Sequence, residues 1–320
     1  MSAAAAPDQA PEIVIVGPMY PATQARLEAE FTAHRLWEAP DRDRFLAGLA
    51  ERVRGIAVYA LHGCPAPLIE ALPRVEIIAC MGIGVDRVDL DCARTRGVRV
   101  TNTPDVVTDD TADIALALML AVERRTAEGD RFVRRGDWLN GELRFGRALR
   151  QRRLGILGLG RIGRAIARRA EGFGMEIAYQ GPRAKSDTAY RYFADPVALA
   201  AWSDIVAVAC PGGEATRHLV NREVIAALGP EGTLINIARG SVVDEAALVA
   251  ALASGALGGA GLDVYATEPL VPEALLAMDN VVLSPHIGSA THDTRRAMGD
   301  LVVDNLHAHF AGRPLLTPVI

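Results

Sequence analysis

The sequence predicts an α/β protein built from two doubly wound parallel sheets with a cleft between the two domains. Three observations predict it. Apolar runs of strand length alternate with longer helical stretches from residue 11 onward. A second series of six such runs starts near residue 154, and a glycine-rich turn directly follows the first of them. Strands that read as continuous apolar runs are buried on both faces, which is the signature of parallel sheets covered by helices.

Taken in order, the first twelve residues, MSAAAAPDQAPE, lack a basic region and an apolar core and read as a short floppy tail rather than a signal peptide. Residues 13–16, 55–59, 75–80 and 98–101 are the first predicted strands, and intervening segments such as 22–31 have helical spacing. Residues 109–125 follow as a helix that is apolar around its central turns, with Thr108 or Asp109 expected to cap its start. An apolar surface of that kind must be covered, either inside the fold or by a second subunit. The second series runs through 154–157, 176–180, 204–210, 233–238, 258–264 and 280–284, enough for a complete doubly wound sheet. Residues 291–312 then carry Met298, Leu301, Val302, Asn305, Leu306 and Phe310 at helical spacing. That last helix is expected to pack back on the first domain. The substrate domain would thus be discontinuous, residues 1–100 and 288–320, with residues 101–287 inserted as the dinucleotide-binding domain.

Bulk properties narrow the function. With 320 residues, 50% hydrophobic and 23% charged, the chain can bury two cores of ordinary size. A net charge of −5 without like-charge runs argues against nucleic acid as a partner. The longest apolar run, residues 114–122, is about half of what a bilayer span requires. Cys64, Cys80, Cys92 and Cys210 show no CxxC spacing and no histidines at ligand spacing. They read as reduced structural thiols of a cytoplasmic protein, with no metal site.

The glycine-rich turn is Gly158-Leu159-Gly160-Arg161-Ile162-Gly163. Gly158 suits a tight turn, Gly160 lets the backbone approach a pyrophosphate, and Gly163 permits close helix–strand packing. The helix opening at Arg161 and Ile162 points its free amides and positive end at the phosphates. About twenty residues on, an acid usually binds the ribose 2′-hydroxyl of NAD. Here Gln180 stands there, with Arg183 and Lys185 close behind. Gln180 does not repel a 2′-phosphate, and the two cations can bind one, so NADP(H) is preferred over NAD(H), which remains possible.

Three late stretches each place a functional group just beyond an apolar strand: Arg239 after 235–238, Glu268 after 263–267, and His286 after 283–285. Ligands of open parallel sheets collect beyond the carboxyl ends of strands, which gives these three residues a reason to converge.

On these residues the chain resembles the D-isomer-specific 2-hydroxyacid dehydrogenases from about residue 11 onward. The resemblance rests on the 158–163 glycine turn, the NIARG run at 236–240, GLDVY at 261–265, Glu268-Pro269 and Pro285-His286-Ile287-Gly288. MGIGVDRVDL at 81–90, VVTDDTADIALALML at 106–120 and the basic loop make it most similar to the glyoxylate/hydroxypyruvate reductase branch. The resemblance implies two Rossmann-like or flavodoxin-like domains and the reduction of a small 2-keto acid. It implies His286 as the general acid, Glu268 as the partner that fixes its ring and charged form, and Arg239 as the group that binds the substrate carboxylate or polarises the carbonyl. It implies a carboxylate cradle at Met81, Gly82, Ile83 and Gly84, made of backbone amides at the last three. Asp263 would meet the nicotinamide carboxamide. Thr111, Cys210, Pro211, Thr216, Ala238, Gly288 and Ser289 would line the cofactor.

The other histidines, His62 and His292 among them, read as structural or surface groups, although His62 lies in a loop that could border the substrate. Trp138 reads as a core anchor or as a side chain reaching a neighbouring subunit. The chain departs from the family at Gln151-Arg152-Arg153-Leu154, where many members have Gly-Lys-x-Leu, which puts the local turn in doubt. A homodimer is expected from the apolar helix at 109–125. The alternatives are a 2-ketogluconate-type reductase of the same family and, in another class, a non-catalytic NAD(P)H-sensing interaction protein.

Overall fold

The computed structural model describes residues 10–320, so the expected tail lies, for its first nine residues, outside the described residues. Among those described, the chain forms two compact units. The first comprises the chain up to Val107 together with Thr291–Ile320, and the second Thr108–Ala290.

The first unit holds a five-stranded sheet of β1 (Glu12–Ile15), β2 (Thr32–Arg35), β3 (Val53–Tyr59), β4 (Ile77–Met81) and β5 (Arg99–Thr101). Their order is β2-β1-β3-β4-β5, and every pairing is parallel. Side chains alternate between the two faces with the period of two that a strand imposes. Ile13, Ile15 and Ala57 pack with Met298, Val302 and Leu306 of the helix His292–Phe310. Val14, Ile56 and Val58 pack on the opposite side with Leu46, Leu68 and Ile69. Chain order reverses between β1 and β3, and the loops after those strands diverge there to leave a crevice.

The second unit holds seven parallel strands: β6 (Arg153–Leu157), β7 (Glu176–Gln180), β8 (Arg191–Phe193), β9 (Ile205–Val208), β10 (Thr233–Asn236), β11 (Gly259–Leu262) and β12 (Val281–Leu283). Their order, β12-β11-β10-β9-β6-β7-β8, reverses between β6 and β9. Leu154 and Ile156 join one core with the helices Thr108–Glu123 and Arg161–Glu171, and Leu157 joins the core on the other face. Both sheets are therefore doubly wound, as the alternation of apolar runs predicts.

Two strands have no counterpart in the sequence reading. β2 and β8 are edge strands, half exposed, with sequences TAHR and RYF. An edge strand with one wet side carries no apolar run to find. The helix expected at 109–125 begins at Thr108, whose hydroxyl is buried without a hydrogen-bond partner, and Asp109 pairs with Arg169 at 3.0 Å. Most of this helix's apolar surface is covered inside its own unit: Ala112, Ala115, Leu116, Leu118 and Met119 are buried against β6, β10 and the helix Arg161–Glu171.

The unusual turn into β6 has a physical account. Gln151 occupies the position where the family has glycine, and it takes the left-handed conformation glycine favours, φ 66°. Arg152, in place of lysine, reaches Glu123 at 2.9 Å, and that carboxylate is only 1% exposed and is also held by Arg147 and Thr233. Because the left-handed region costs a side chain roughly 1–2 kcal/mol, Gln151→Gly should stabilise the chain by about 0.5–1 kcal/mol after the added backbone entropy is subtracted. Chemical denaturation checks this, and a lowered midpoint contradicts it.

Candidate active site

Parallel pairing puts the carboxyl ends of all seven strands of the second unit on one edge of its sheet. The loops that follow β6, β7, β9, β10, β11 and β12 therefore emerge together. They carry Gly158–Gly163, Gln180–Lys185, Cys210–Thr216, Ala238–Gly240, Asp263–Glu268 and Ser284–Ser289.

The acid–base pair lies on two of these loops. His286 Nδ1 is 2.9 Å from Glu268 Oε2, and the two side chains are 23% and 14% exposed. That distance makes Nδ1–H a donor to the carboxylate and leaves Nε2 as the nitrogen able to exchange a proton outward. Glu268 is itself steadied by accepting from the Tyr265 amide at 3.2 Å. His286 sits at φ 53°, a conformation rarely adopted by a side-chain-bearing residue.

Asp263 is what holds that strained turn. Its Oδ1 accepts from the Ile287 amide at 2.8 Å and from the Ser284 hydroxyl at 2.6 Å, and its Oδ2 accepts from the Gly288 amide at 2.8 Å. Its backbone carbonyl accepts from the His286 amide at 2.9 Å. With 1% of its surface exposed, Asp263 anchors the histidine loop through these four bonds. Tyr265, unremarked in the sequence beyond its place in the GLDVY run, adds a second tie: its hydroxyl donates to Ser284 O at 2.9 Å. Burial pushes that phenol up to about 12, so it stays a donor across the neutral range. Thr111, from the first turn of its helix, donates to Gly288 O at 3.1 Å and closes the loop from the other side.

Arg239 is set by its neighbours in the NIARG run. Asn236 Oδ1 accepts from the Ala238 amide and its Nδ2 donates to Arg239 O, at 3.1 and 3.0 Å, so one buried amide brackets the arginine's backbone. The guanidinium donates to Ala238 O at 2.7 Å.

The glycine turn fits a dinucleotide. Gly158 has φ 96°, and a Cβ there would lie 2.7 Å from the backbone of Cys210. A Cβ on Gly163 would lie 2.2 Å from Gly158 O, so helix and strand touch at that point. Gly160 instead faces open space and stands at the N-cap of the helix Arg161–Glu171, where no side chain caps the first turn. Amides at such a terminus suit an anion. Cys210 closes the floor of the turn, and burial raises its thiol to about 11. The Thr216 hydroxyl donates to Pro211 O at 2.7 Å and ties the loop after β9. Ala238 is buried, and Ser289 is half exposed beside Gly288.

Beyond β7, Gln180 Nε2 donates to Ala194 O at 3.3 Å. The following loop is pinned by the Lys185 amide on the Tyr179 hydroxyl at 2.7 Å, and its only acid, Asp187, is bound by Arg164 at 2.7 Å. Arg183 and Lys185 present exposed side chains from it.

The 81–84 stretch belongs to the first unit, at the end of β4. The Gly82 amide donates to Thr103 Oγ1 at 3.0 Å. Among the described residues, no hydrogen bond engages the amides of Ile83 and Gly84, and the Ile83 carbonyl is held by Asn102 at 2.9 Å. Met81 is buried beneath them. His62 stands at the surface with its ring edge-on to Tyr59, 5.8 Å between centroids, and partial burial lowers its pKa.

Residues 116–288 match the family model of the D-isomer specific 2-hydroxyacid dehydrogenase NAD binding domain. The chain is 51% identical over 308 residues to a hydroxyphenylpyruvate reductase of Plectranthus scutellarioides, covering 96% of this chain and 98% of that one. It is 48% identical over 308 residues to glyoxylate/hydroxypyruvate reductase A of Arabidopsis thaliana, with the same coverage. A crystal structure of the NADPH-dependent glyoxylate/hydroxypyruvate reductase of Sinorhizobium meliloti, in complex with NADP and malonate, superposes with a TM-score of 0.91 at 45% identity, covering 97% of this chain and 96% of that one.

Proposed function

The chain belongs to the D-isomer specific 2-hydroxyacid dehydrogenases, and from that premise we propose that it is an NADPH-preferring reductase of small 2-keto acids, glyoxylate and hydroxypyruvate. The observation that carries the reading is the His286–Glu268 pair at 2.9 Å, on the same sheet edge as the glycine turn. The reduced dinucleotide supplies the hydride when bound. The amides of Arg161, Ile162 and Gly163 hold its pyrophosphate, and Gln180, Arg183 and Lys185 take the 2′-phosphate. His286 holds a proton at Nε2 and delivers it to the keto oxygen, while Glu268 keeps the ring in register and balances its positive charge. Arg239 stabilises the negative charge that develops on that oxygen or binds the carboxylate. Within the first unit taken by itself, the unengaged amides of Ile83 and Gly84 are donors of the kind a carboxylate requires.

The test is steady-state kinetics with both dinucleotides. The expected result is a kcat/KM at least about tenfold higher with NADPH, falling toward parity in an Arg183→Ala, Lys185→Ala double variant, because each charge-assisted phosphate contact contributes on the order of 1.5–3 kcal/mol. A clear advantage for NADH contradicts the cofactor assignment.

A homodimer belongs to the same reading, on different grounds from those the sequence suggests. The helix Thr126–Arg134 has no buried residue, and the segment after it exposes Trp138, Leu139 and Phe145, the last two at 91% and 94%. Such a cluster of large apolar side chains is a surface for a second copy. Light scattering should report a dimer for the native chain and a monomer for Trp138→Glu combined with Phe145→Glu, and an unchanged mass overturns this assignment. The four cysteines, none in a disulfide, support a cytoplasmic location.

A further inference from the structure

The open amides of Ile83 and Gly84 owe their direction to residues far away in the sequence. A trans peptide group is planar, and its C=O and N–H point in opposite directions. Holding a carbonyl therefore sets the direction of the next residue's amide. The Thr103 amide donates to Gly82 O at 2.9 Å, which sets the Ile83 N–H. Asn102 Nδ2 donates to Ile83 O at 2.9 Å, which sets the Gly84 N–H. Both amides thus turn away from 102–103, two residues that directly follow β5.

Asn102 is in turn held by the C-terminal segment. Residues 317–320 run antiparallel along the free edge of β5, with the Val319 amide on Val100 O at 2.7 Å and the Asn102 amide on Thr317 O at 3.3 Å. The Thr317 hydroxyl donates to Asn102 O at 2.6 Å. Its direction is fixed from behind by Asn305, a side chain of the helix His292–Phe310 that is 0% exposed and must find its partners inside the protein. Asn305 Oδ1 accepts from the amides of Leu316 and Thr317, at 3.0 and 3.2 Å, which settles which way its amide faces. Nδ2 then donates to Leu301 O at 2.7 Å and to Thr317 Oγ1 at 2.9 Å. A hydroxyl carries one hydrogen, and with Thr317 accepting from Asn305 that hydrogen goes to Asn102.

We propose that Asn305, Thr317 and Asn102 are positioning residues for substrate binding: the series Asn305–Thr317–Asn102–Ile83 keeps the amides of Ile83 and Gly84 turned to a carboxylate. The inference rests on the reductase reading above, in which those amides receive the substrate carboxylate, and adds the residues that aim them. Successive free backbone amides form an anion-binding concavity only while their peptide planes stay in place. A carboxylate contact made equally in the ground and transition states changes KM and leaves kcat alone.

The test measures kcat and KM for glyoxylate at saturating NADPH in the native chain, Thr317→Val, Thr317→Ser and Asn102→Ala, each with its melting transition recorded. Valine keeps the shape of threonine but cannot donate to Asn102, serine keeps the hydroxyl, and Asn102→Ala retains the backbone bonds to Thr317. The expected result is a KM about tenfold higher in Thr317→Val and in Asn102→Ala, with kcat within about twofold of native, and native kinetics in Thr317→Ser. Because the two residues act in series, the double variant should raise KM no further than the larger single effect, whereas independent effects would multiply to about a hundredfold. Oxamate, a 2-keto acid mimic that cannot be reduced, is titrated calorimetrically into the same proteins with NADPH present, and its affinity should fall about tenfold in Thr317→Val. The inference is overturned by unchanged KM and oxamate affinity in Thr317→Val, by a loss in kcat instead of KM, by serine as impaired as valine, by multiplying effects in the double variant, or by a native chain that binds no oxamate. No turnover of any 2-keto acid, with oxamate binding weakened in Thr317→Val and restored in Thr317→Ser, removes the reductase and retains the positioning series. Normal turnover with equal oxamate affinity in all variants does the reverse.

Discussion

Replacing His286 by Asn lowers kcat for 2-keto acid reduction by about three orders of magnitude and leaves NADPH affinity within a few-fold of native. A positioned general acid contributes roughly 10²–10⁴ in rate, and asparagine keeps the size and polarity of the side chain but cannot deliver a proton. The loop should survive the change, because the bonds that hold it use the backbone of 286–288 and the side chains of Asp263, Ser284 and Thr111, not the imidazole. Glu268→Gln is expected to cost less, since an amide oxygen can still accept from Nδ1 while the balancing charge is gone. Stopped-flow turnover and equilibrium dinucleotide binding, measured on the same preparations, check both statements. Retained turnover in His286→Asn means the proton comes from elsewhere.

Gly163→Val is expected to be the most damaging change outside the proton-transfer pair. Its Cβ would lie 2.2 Å from the carbonyl oxygen of Gly158 and 3.2 Å from Ile156, and neither atom can retreat without moving β6 or the turn. Overpacking of this kind costs about 1–3 kcal/mol in stability. Displacing the turn also costs phosphate hydrogen bonds, each on the order of 1.5–3 kcal/mol, so NADPH binding weakens by at least about tenfold. Gly160→Ala provides the contrast. The space around that Cβ is open to protein, so stability stays within about 0.5 kcal/mol of native while NADPH affinity falls. Thermal unfolding with and without NADPH reads both effects, and equal behaviour of the two variants contradicts the division of roles.

Much of this was legible in the sequence, and the reason is topological. Once the apolar runs are read as parallel strands, the residue after each strand has a fixed address on one sheet edge. That is how Arg239, Glu268 and His286 could be singled out across nearly fifty positions. The glycine turn is legible for a similar reason, since its function and its local backbone demand coincide. What the sequence hides is long-range polar pairing. Nothing local announces that Thr103 occupies the Gly82 amide or that Asp263 spends both oxygens on 284–288. The pairing of Arg295 with Tyr59, 236 positions apart, is just as silent in the sequence. Edge strands β2 and β8 escape because their wet sides dilute the apolar signal. The helix at 108–123 shows a third limit: an apolar surface predicts that something covers it but not what. Here its own unit supplies most of the cover, and the uncovered apolar side chains lie further on, at 138–145.

The measurement that bears most directly on the whole account is the oxidation of NADPH, followed by its ultraviolet absorbance, when purified chain meets glyoxylate or hydroxypyruvate, with His286→Asn run beside it. The account predicts steady oxidation by the native chain and about a thousandfold less by the variant, at undiminished NADPH binding. No oxidation with any 2-keto acid, or equal oxidation by both proteins, would contradict it.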